Sequence, residues 1–376
     1  MEKILNIGIV GCGGMGSGHA IALQSGTGNA LWKVKTDDVP KFPGALTTDI
    51  SKHLRLRGIF DIKPERRQWA QERKIPVYES YDAMLADPDI DAVLVATPNH
   101  LHKEQSIAAM RAGKHVLCEK PVMITSEDLE EVMQVSRETG RVFYPRQNRE
   151  WDEDYLIIKK IYDDKLVGNV FNIKSRLTGS RGIPGDWRGI KEYGGGMMLD
   201  WGVHLIDRIL QMIPEKVIKL FCSCTYITNK ECEDGFQLHM TFESGLTVDI
   251  EVGTCHFISE PMWCIYGDQG SAVIHNFHLD GKINRLTSWE DKDAEPIAAG
   301  AGLTKTMAPR SVGESVEERP LPRFDFDRNT LYRNFAEVCM GTAKQIVTQE
   351  HALRVLRLME ACFRSNESGE AVLFEG

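Results

Sequence analysis

Gly11-Cys12-Gly13-Gly14-Met15-Gly16 spaces its glycines as G-x-G-x-x-G. An apolar run, residues 4–10, precedes it, and a helical pattern, His19-Ala20-Ile21-Ala22-Leu23, follows. In that strand–turn–helix setting the motif is a dinucleotide cradle. Gly11 permits the tight turn, Gly13 lets the backbone approach a pyrophosphate, and Gly16 lets helix and strand pack closely. Unpaired N–H groups at the helix start then face the phosphate. A carboxylate ending the second strand should take the adenosine ribose hydroxyls, and Asp61 is so placed. It also repels a 2′-phosphate, which favours NAD over NADP, although Lys63 and Arg66 nearby could soften that preference. Asp61 could equally cap a helix that starts at Pro64.

Two more positions carry chemistry. Glu119-Lys120-Pro121 ends an apolar strand. An ammonium there can stabilise charge developing on a reacting oxygen; otherwise Lys120 is a surface lysine at a strand end. Further on, Gly194-Gly195-Gly196 opens a helix pattern, residues 197–213. Asp200 and His204 lie four apart and share one face of it. Asp207 and Gln211 extend that polar stripe, opposite Val203, Ile206, Leu210 and Ile213. Taken alone, the stripe reads as the solvated face of an amphipathic helix. No metal site is expected: Cys222-Ser223-Cys224 and the His100/His102 pair lack zinc spacing. Neither a nucleophile elbow nor a P-loop occurs.

The elements that would position these residues come from hydrophobic patterning. Apolar strands at 4–10, 54–60, 90–96, 115–118 and 141–144 alternate with helix patterns such as 64–72 and 126–138. Strands apolar throughout, joined by helices, imply a parallel sheet covered on both faces. Such sheets bind ligands beyond the carboxyl ends of their strands, where Gly11, Asp61 and Lys120 all fall. After about residue 145 the pattern changes. Strands at 169–176, 217–226, 236–242, 247–255, 262–266 and 272–275 with short turns predict an antiparallel meander, interrupted by the 197–213 helix. Two helix patterns, 329–340 and 349–365, close the chain. The fold class is α/β: a Rossmann dinucleotide-binding domain over 1–144, then an α+β substrate-binding and oligomerisation domain over 145–376 with a large, mostly antiparallel open sheet. Two segments, 29–53 and 291–323, read as long loops that could shape a pocket for a larger substrate.

Composition narrows the function. The chain has 376 residues, 42% hydrophobic and 26% charged, which excludes wholesale disorder. A net charge of −9 gives no general pull toward nucleic acid or anionic lipid. No apolar run is long enough for a membrane helix, and the first residues do not read as a signal peptide. Nine cysteines, mostly within apolar runs, are expected as buried thiols. The reading is a cytoplasmic protein.

Together these residues resemble the glucose–fructose oxidoreductase, inositol dehydrogenase and rhizopine-catabolism (Gfo/Idh/MocA) family. The likeness runs from Gly11–Gly16 through Ala96-Thr97-Pro98-Asn99-His100-Leu101-His102 and Gly113-Lys114-His115-Val116-Leu117-Cys118-Glu119-Lys120-Pro121. It continues through Trp187-Arg188, Asp200-Trp201-Gly202-Val203-His204 and Tyr266-Gly267-Asp268-Gln269-Gly270-Ser271 to Ser365-Asn366-Glu367-Ser368-Gly369. The resemblance implies that Lys120, Asp200 and His204 surround substrate and nicotinamide. Gly11, Cys12, Gly13, Gly14, Met15, Gly16, Asp61, Thr97, Pro98, Asn99, His102, Glu119, Lys120, Trp187 and Arg188 would hold the cofactor. Asn148, with Arg146 and Gln147 beside it, would reach the substrate.

The implied activity is NAD-dependent oxidation of a ring hydroxyl on a sugar, polyol or glycoside. His204 would act as general base, Lys120 would stabilise the alkoxide, and Asp200 would hold a neighbouring hydroxyl. An alternative is a glycosidase or cofactor-recycling sugar oxidoreductase that keeps NAD bound and oxidises transiently. A non-catalytic dinucleotide-binding regulator is a third, disfavoured by the intact Lys120, Asp200 and His204. The expected partners are a small carbohydrate and further copies of the chain, as a dimer or tetramer.

Overall fold

The computed structural model describes residues 4–26, 45–46, 48–290, 294–310 and 312–374. Strand β1 (Leu5–Val10) runs through the glycine turn into α1 (Gly14–Ser25). A short strand, β2 (Ala45–Leu46), precedes β3 (Leu54–Phe60), α2 (Pro64–Glu72) and α3 (Tyr81–Ala86). Then come β4 (Ala92–Val95), α4 (His102–Arg111), β5 (His115–Cys118), α5 (Ser126–Thr139), β6 (Phe143–Pro145) and α6 (Glu153–Asp163). The order β3-β1-β4-β5-β6 forms one five-stranded sheet, and every pair in it is parallel.

Alternation along these strands feeds two cores. Val93, Val95, Val116 and Cys118 face α4 and α5. Ala92, Leu94 and Leu117 face the other way, toward α1 and toward α8 (Thr330–Cys339), which returns from the far end of the chain. Both faces being covered explains why the strands carry no polar alternation. The Thr125 hydroxyl accepts from the Asp128 N–H to start α5, and Gly140 ends it with φ +64°.

The second sheet has nine strands. β7 (Val170–Thr178) is followed by a π-helical turn, Met198–Gly202, that passes directly into α7 (Val203–Met212). β8 (Val217–Thr225), β9 (Gly235–Phe242) and β10 (Thr247–Gly253) form one meander. β11 (Trp263–Gly267), β12 (Gly270–Ile274) and β13 (Gly281–Leu286) form another. β14 (Ile297–Ala299) and β15 (Gly302–Thr304) pair as a separate hairpin, and β16 (Val316–Arg319) joins the sheet beside β13. β17 (Phe326–Asp327) pairs with β2, and after α9 (Gln349–Ser368) the strand β18 (Val372–Leu373) completes the opposite edge.

The antiparallel expectation holds with one exception. β7 lies between the two meanders, antiparallel to β11 but parallel to β10, because the α7 crossover returns the chain on the far side of the sheet. The 197–213 helix also differs from expectation. Its first turn is π-helical, which fits an extra residue into the turn that carries Asp200. Nor is its polar stripe solvated: Asp207 is 1% exposed and bonds His351 on α9 at 2.8 Å. The described part of 291–323 is structured as β14–β16. Most of 29–53 lies outside the described residues. All nine cysteines are free thiols, as expected.

Under α7, Asp154 Oδ2 accepts from Arg208 Nη1 at 2.8 Å and from Trp263 Nε1 at 2.9 Å. Both members of the ion pair are 6% exposed at the side chain. Removing one member of such a pair strands the other charge, which costs about 3–5 kcal/mol. Arg208→Ala should therefore lower unfolding free energy by that amount in urea denaturation, whereas the exposed Lys159→Ala should change it by less than about 1 kcal/mol.

Candidate active site

The glycine turn sits where β1 ends. Gly11 has φ +85°, and a Cβ there would meet the Ala96 carbonyl at 2.7 Å. A Cβ on Gly16 would lie 1.8 Å from the Gly11 carbonyl oxygen. Above Gly13 and Gly14 the space is open, with nothing within 4 Å of a built Cβ. No side chain caps the N-terminus of α1, so its first N–H groups face that open space. This is the cradle a pyrophosphate needs, and the residues fit a dinucleotide. Asp61, 9% exposed, closes its far side: Oδ2 accepts from the Cys12 N–H at 2.6 Å and Oδ1 from the Lys63 N–H at 2.8 Å. Burial, then the Asp61 charge, push the Cys12 thiol up to about 12, so it stays protonated at neutral pH.

The loop after β4 joins the two halves of the molecule. Asn99 Nδ2 donates to the Gly194 carbonyl at 2.7 Å, and His100 stacks on Tyr193 with ring centroids 4.5 Å apart. The Thr97 hydroxyl donates to Gln105, and Pro98 leads into the short turn at Asn99–Leu101. His102 is fully buried between two carbonyls, Pro121 O on Nδ1 and Thr97 O on Nε2. It braces the ends of β4 and β5 against each other.

Lys120 crosses to the second half. Its Nζ donates to the Asp200 carbonyl at 2.7 Å and to Asp200 Oδ1 at 2.8 Å, which leaves one N–H for another acceptor. Arg188 Nε reaches Asp200 Oδ2 at 3.2 Å, while its Nη1 holds Asp186 and its guanidinium lies over the Trp187 ring. Burial alone would push the Asp200 carboxyl up; Lys120 and Arg188 outweigh it and hold the group below the usual carboxylate range. One turn further, His204 is 4% exposed, its Nδ1 has no hydrogen-bond partner among the described residues, and its ring meets Trp201 edge-on at 5.7 Å. Burial, then the charges of Lys120, Arg149, Arg208 and Arg146, hold this imidazole well below its ordinary value. It is neutral at pH 7 and able to accept a proton.

The Glu119 carboxylate, expected at the cofactor, supports Lys120 from behind. Glu119 Oε1 accepts from His19 Nε2 at 2.6 Å and Arg146 Nη1 at 2.9 Å, and its Oε2 accepts from the Lys120 N–H at 3.1 Å. The second nitrogen of His19 contacts the Tyr332 hydroxyl of α8. Both Glu119 oxygens are thus engaged within the protein, and the side chain is buried below the cleft. His19 and Tyr332 sit within ordinary helix patterns and carry no local signal of this pairing. Gln147 is buried with an unpartnered Oε1, and Asn148 begins the short turn Arg149–Trp151 at the end of β6.

Residues 5–147 match the Gfo/Idh/MocA oxidoreductase family, NAD-binding Rossmann fold, and residues 155–273 match the family's C-terminal domain. The chain belongs to the Gfo/Idh/MocA oxidoreductase family. A solved NAD-binding protein from Listeria innocua is 41% identical, with a TM-score of 0.89 over 99% of this chain and 100% of that one. The scyllo-inositol 2-dehydrogenase (NADP(+)) IolW of Bacillus subtilis (strain 168) is 26% identical over 80% of this chain and 83% of its own length. The 1,5-anhydro-D-fructose reductase of Ensifer adhaerens is 30% identical over 55% of this chain and 64% of its own. Like other Gfo/Idh/MocA members, this oxidoreductase carries its NAD-binding Rossmann fold first. No helix among the described residues is long and apolar enough to cross a membrane.

Two outcomes follow from this geometry. Gly16→Ala forces a Cβ into the Gly11 carbonyl, so it should abolish detectable NAD binding in a calorimetric titration. His204 contributes to the pH dependence of stability with a defined sign. Its folded value is depressed, so the contribution is complete above about pH 6.5 and is lost as pH falls from there toward the folded value. Between pH 6.5 and 5, unfolding free energy should fall less steeply in His204→Gln than in wild type, by up to about 1.4 kcal/mol per pH unit.

Proposed function

We propose that the protein oxidises a ring hydroxyl of a cyclic polyol or sugar, with NAD preferred over NADP. The observation that carries this reading is the Lys120–Asp200 contact, which brings the end of a Rossmann strand onto the helix that holds a buried, neutral His204. The nicotinamide supplies the hydride acceptor that no side chain can provide. Gly11 to Gly16 and Asp61 bind the dinucleotide, and the Asp61 carboxylate disfavours a 2′-phosphate.

His204 takes the hydroxyl proton. Its cationic surroundings lower its basicity, but they also prevent it from being protonated in advance. The remaining N–H of Lys120 donates to the same oxygen and stabilises its growing negative charge. Asp200 accepts from a neighbouring hydroxyl while Lys120 and Arg188 fix its orientation. Asn148 and Gln147 border the cleft where further hydroxyls would sit. The names of two relatives, which act on scyllo-inositol and 1,5-anhydro-D-fructose, support a polyhydroxylated ring as substrate.

The test is NADH formation with inositol isomers and aldoses, and NADH consumption with 1,5-anhydro-D-fructose. On the best substrate, His204→Ala and Lys120→Ala should each lose roughly 10²–10⁴-fold in kcat. Calorimetric NAD affinity should stay within about threefold, because neither side chain holds the pyrophosphate. Wild-type turnover by His204→Ala would refute the base assignment.

A further inference from the structure

Gly194, Gly195 and Gly196 lead into the helix that carries Asp200 and His204, and a buried carboxylate accounts for the last of them. Glu233 precedes β9 and is 4% exposed. Its Oε1 accepts from the Met198 N–H at 2.9 Å, and its main-chain oxygen accepts from the Met197 N–H at 3.0 Å. Two of the helix's first N–H groups are thus satisfied by one residue of the loop before β9. Gly196 holds φ +104°, and a Cβ there would lie 2.2 Å from Glu233 Oε1. A Cβ on Gly195 would lie 2.3 Å from the Arg188 carbonyl oxygen. Gly196 therefore clears the space in which the carboxylate meets the helix, while Gly195 lets the Arg188 main chain approach.

The groups that bear on Glu233 are Lys191 on the turn Lys191–Tyr193, its neighbours Cys232 and Asp234, and Cys222, Cys224 and Tyr226 on or just after β8. Of these, only Lys191 is cationic. The partial positive charge of the helix start is thus the carboxylate's hydrogen-bonded counter-charge.

We propose that Glu233 is a positioning residue: its ionised carboxylate anchors the helix start and so fixes Asp200 and His204 against Lys120. The role rests on the reading of the site given above. Burial pushes Glu233 up to about 6, so the anchoring charge is present at pH 8 and is lost as pH falls through about 6. His204 titrates in the same direction but at a lower pH than an ordinary imidazole. A break near pH 6 in the rate profile then belongs to Glu233.

The test compares wild type, Glu233→Gln and Glu233→Ala, with His204→Ala as reference. It uses the best substrate of the inositol and aldose panel and, independently of any substrate, hydrogen exchange of the 197–201 amides in the NAD-bound protein. The amide of Glu233→Gln still accepts a hydrogen bond but does not titrate. Lacking the charge, it should show no break near pH 6 and turn over at pH 8 at about the reduced rate that wild type shows below pH 6. Glu233→Ala should lose roughly tenfold or more in kcat, with NAD affinity within about threefold and the 197–201 amides exchanging about tenfold faster.

Wild-type kcat and exchange in Glu233→Ala would overturn the proposal. So would a break near pH 6 that persists in Glu233→Gln, or NAD affinity that falls in step with kcat in both variants. If Glu233→Ala fails to fold, the Glu233→Gln profile decides. Unchanged turnover in His204→Ala would remove the reading of the site instead, and amide exchange would still judge the anchor by itself.

Discussion

One ammonium joins the two halves of this molecule. Lys120 follows β5, and its Nζ meets both the carbonyl and the carboxylate of Asp200 on the facing helix. Both side chains are mostly buried, at 17% and 15% exposure, so neither charge is well solvated without the other. Burial raises a carboxylate, yet Asp200 is held below the usual range, so here attraction outweighs desolvation. Arg188 reinforces the result from the second half, and Asp186 balances Arg188 in turn. These four charges sum to zero. In the proposed reaction, a substrate oxygen gaining negative charge beside Lys120 would thus be met by an ammonium whose attraction Asp200 only partly takes up.

The rest of the architecture keeps that contact in place. Behind Lys120, Glu119 ties its own two oxygens to α1 through His19, to the end of β6 through Arg146, and to the Lys120 amide. Tyr332 brings α8 into the same network, which explains why a helix from the end of the chain packs on the first sheet. On the other side, Asn99 and His100 clasp Gly194 and Tyr193 just ahead of the helix. His204 is embedded among four cationic side chains. Each unit by which its pKa falls weakens it tenfold as a base, but also removes the protonated form that could accept nothing.

Much of this was legible from residue types. The glycine motif, Asp61 and Lys120 all fall at the carboxyl ends of parallel strands, where patterning located them, because parallel strands buried on both faces announce themselves as continuous apolar runs. Helices 64–72 and 126–138 were equally plain, with Pro64 and Thr125 marking their starts. Short helices such as α3, α4 and α6 leave no clear pattern in the sequence, and β13 and β16 lie in polar, aperiodic stretches. The π-helical turn left no trace, because one extra residue in a turn is a tertiary accommodation that local propensity does not encode. Asp207 looked solvated because its partner, His351, arrives from a helix far along the chain. The partners His19 and Tyr332 are hidden for the same reason: a pairing across 100 or 313 positions has no periodicity.

In the proposed reaction, a ring C–H next to the oxygen that Lys120 would hold would give its hydride to the bound dinucleotide. The most direct measurement uses a converted polyol or sugar deuterated at the ring carbons and weighs the reduced cofactor formed with wild-type protein. The account predicts a nicotinamide heavier by one deuterium, drawn from the substrate and not from water. A reduced cofactor of ordinary mass, with the label released to solvent, would contradict it.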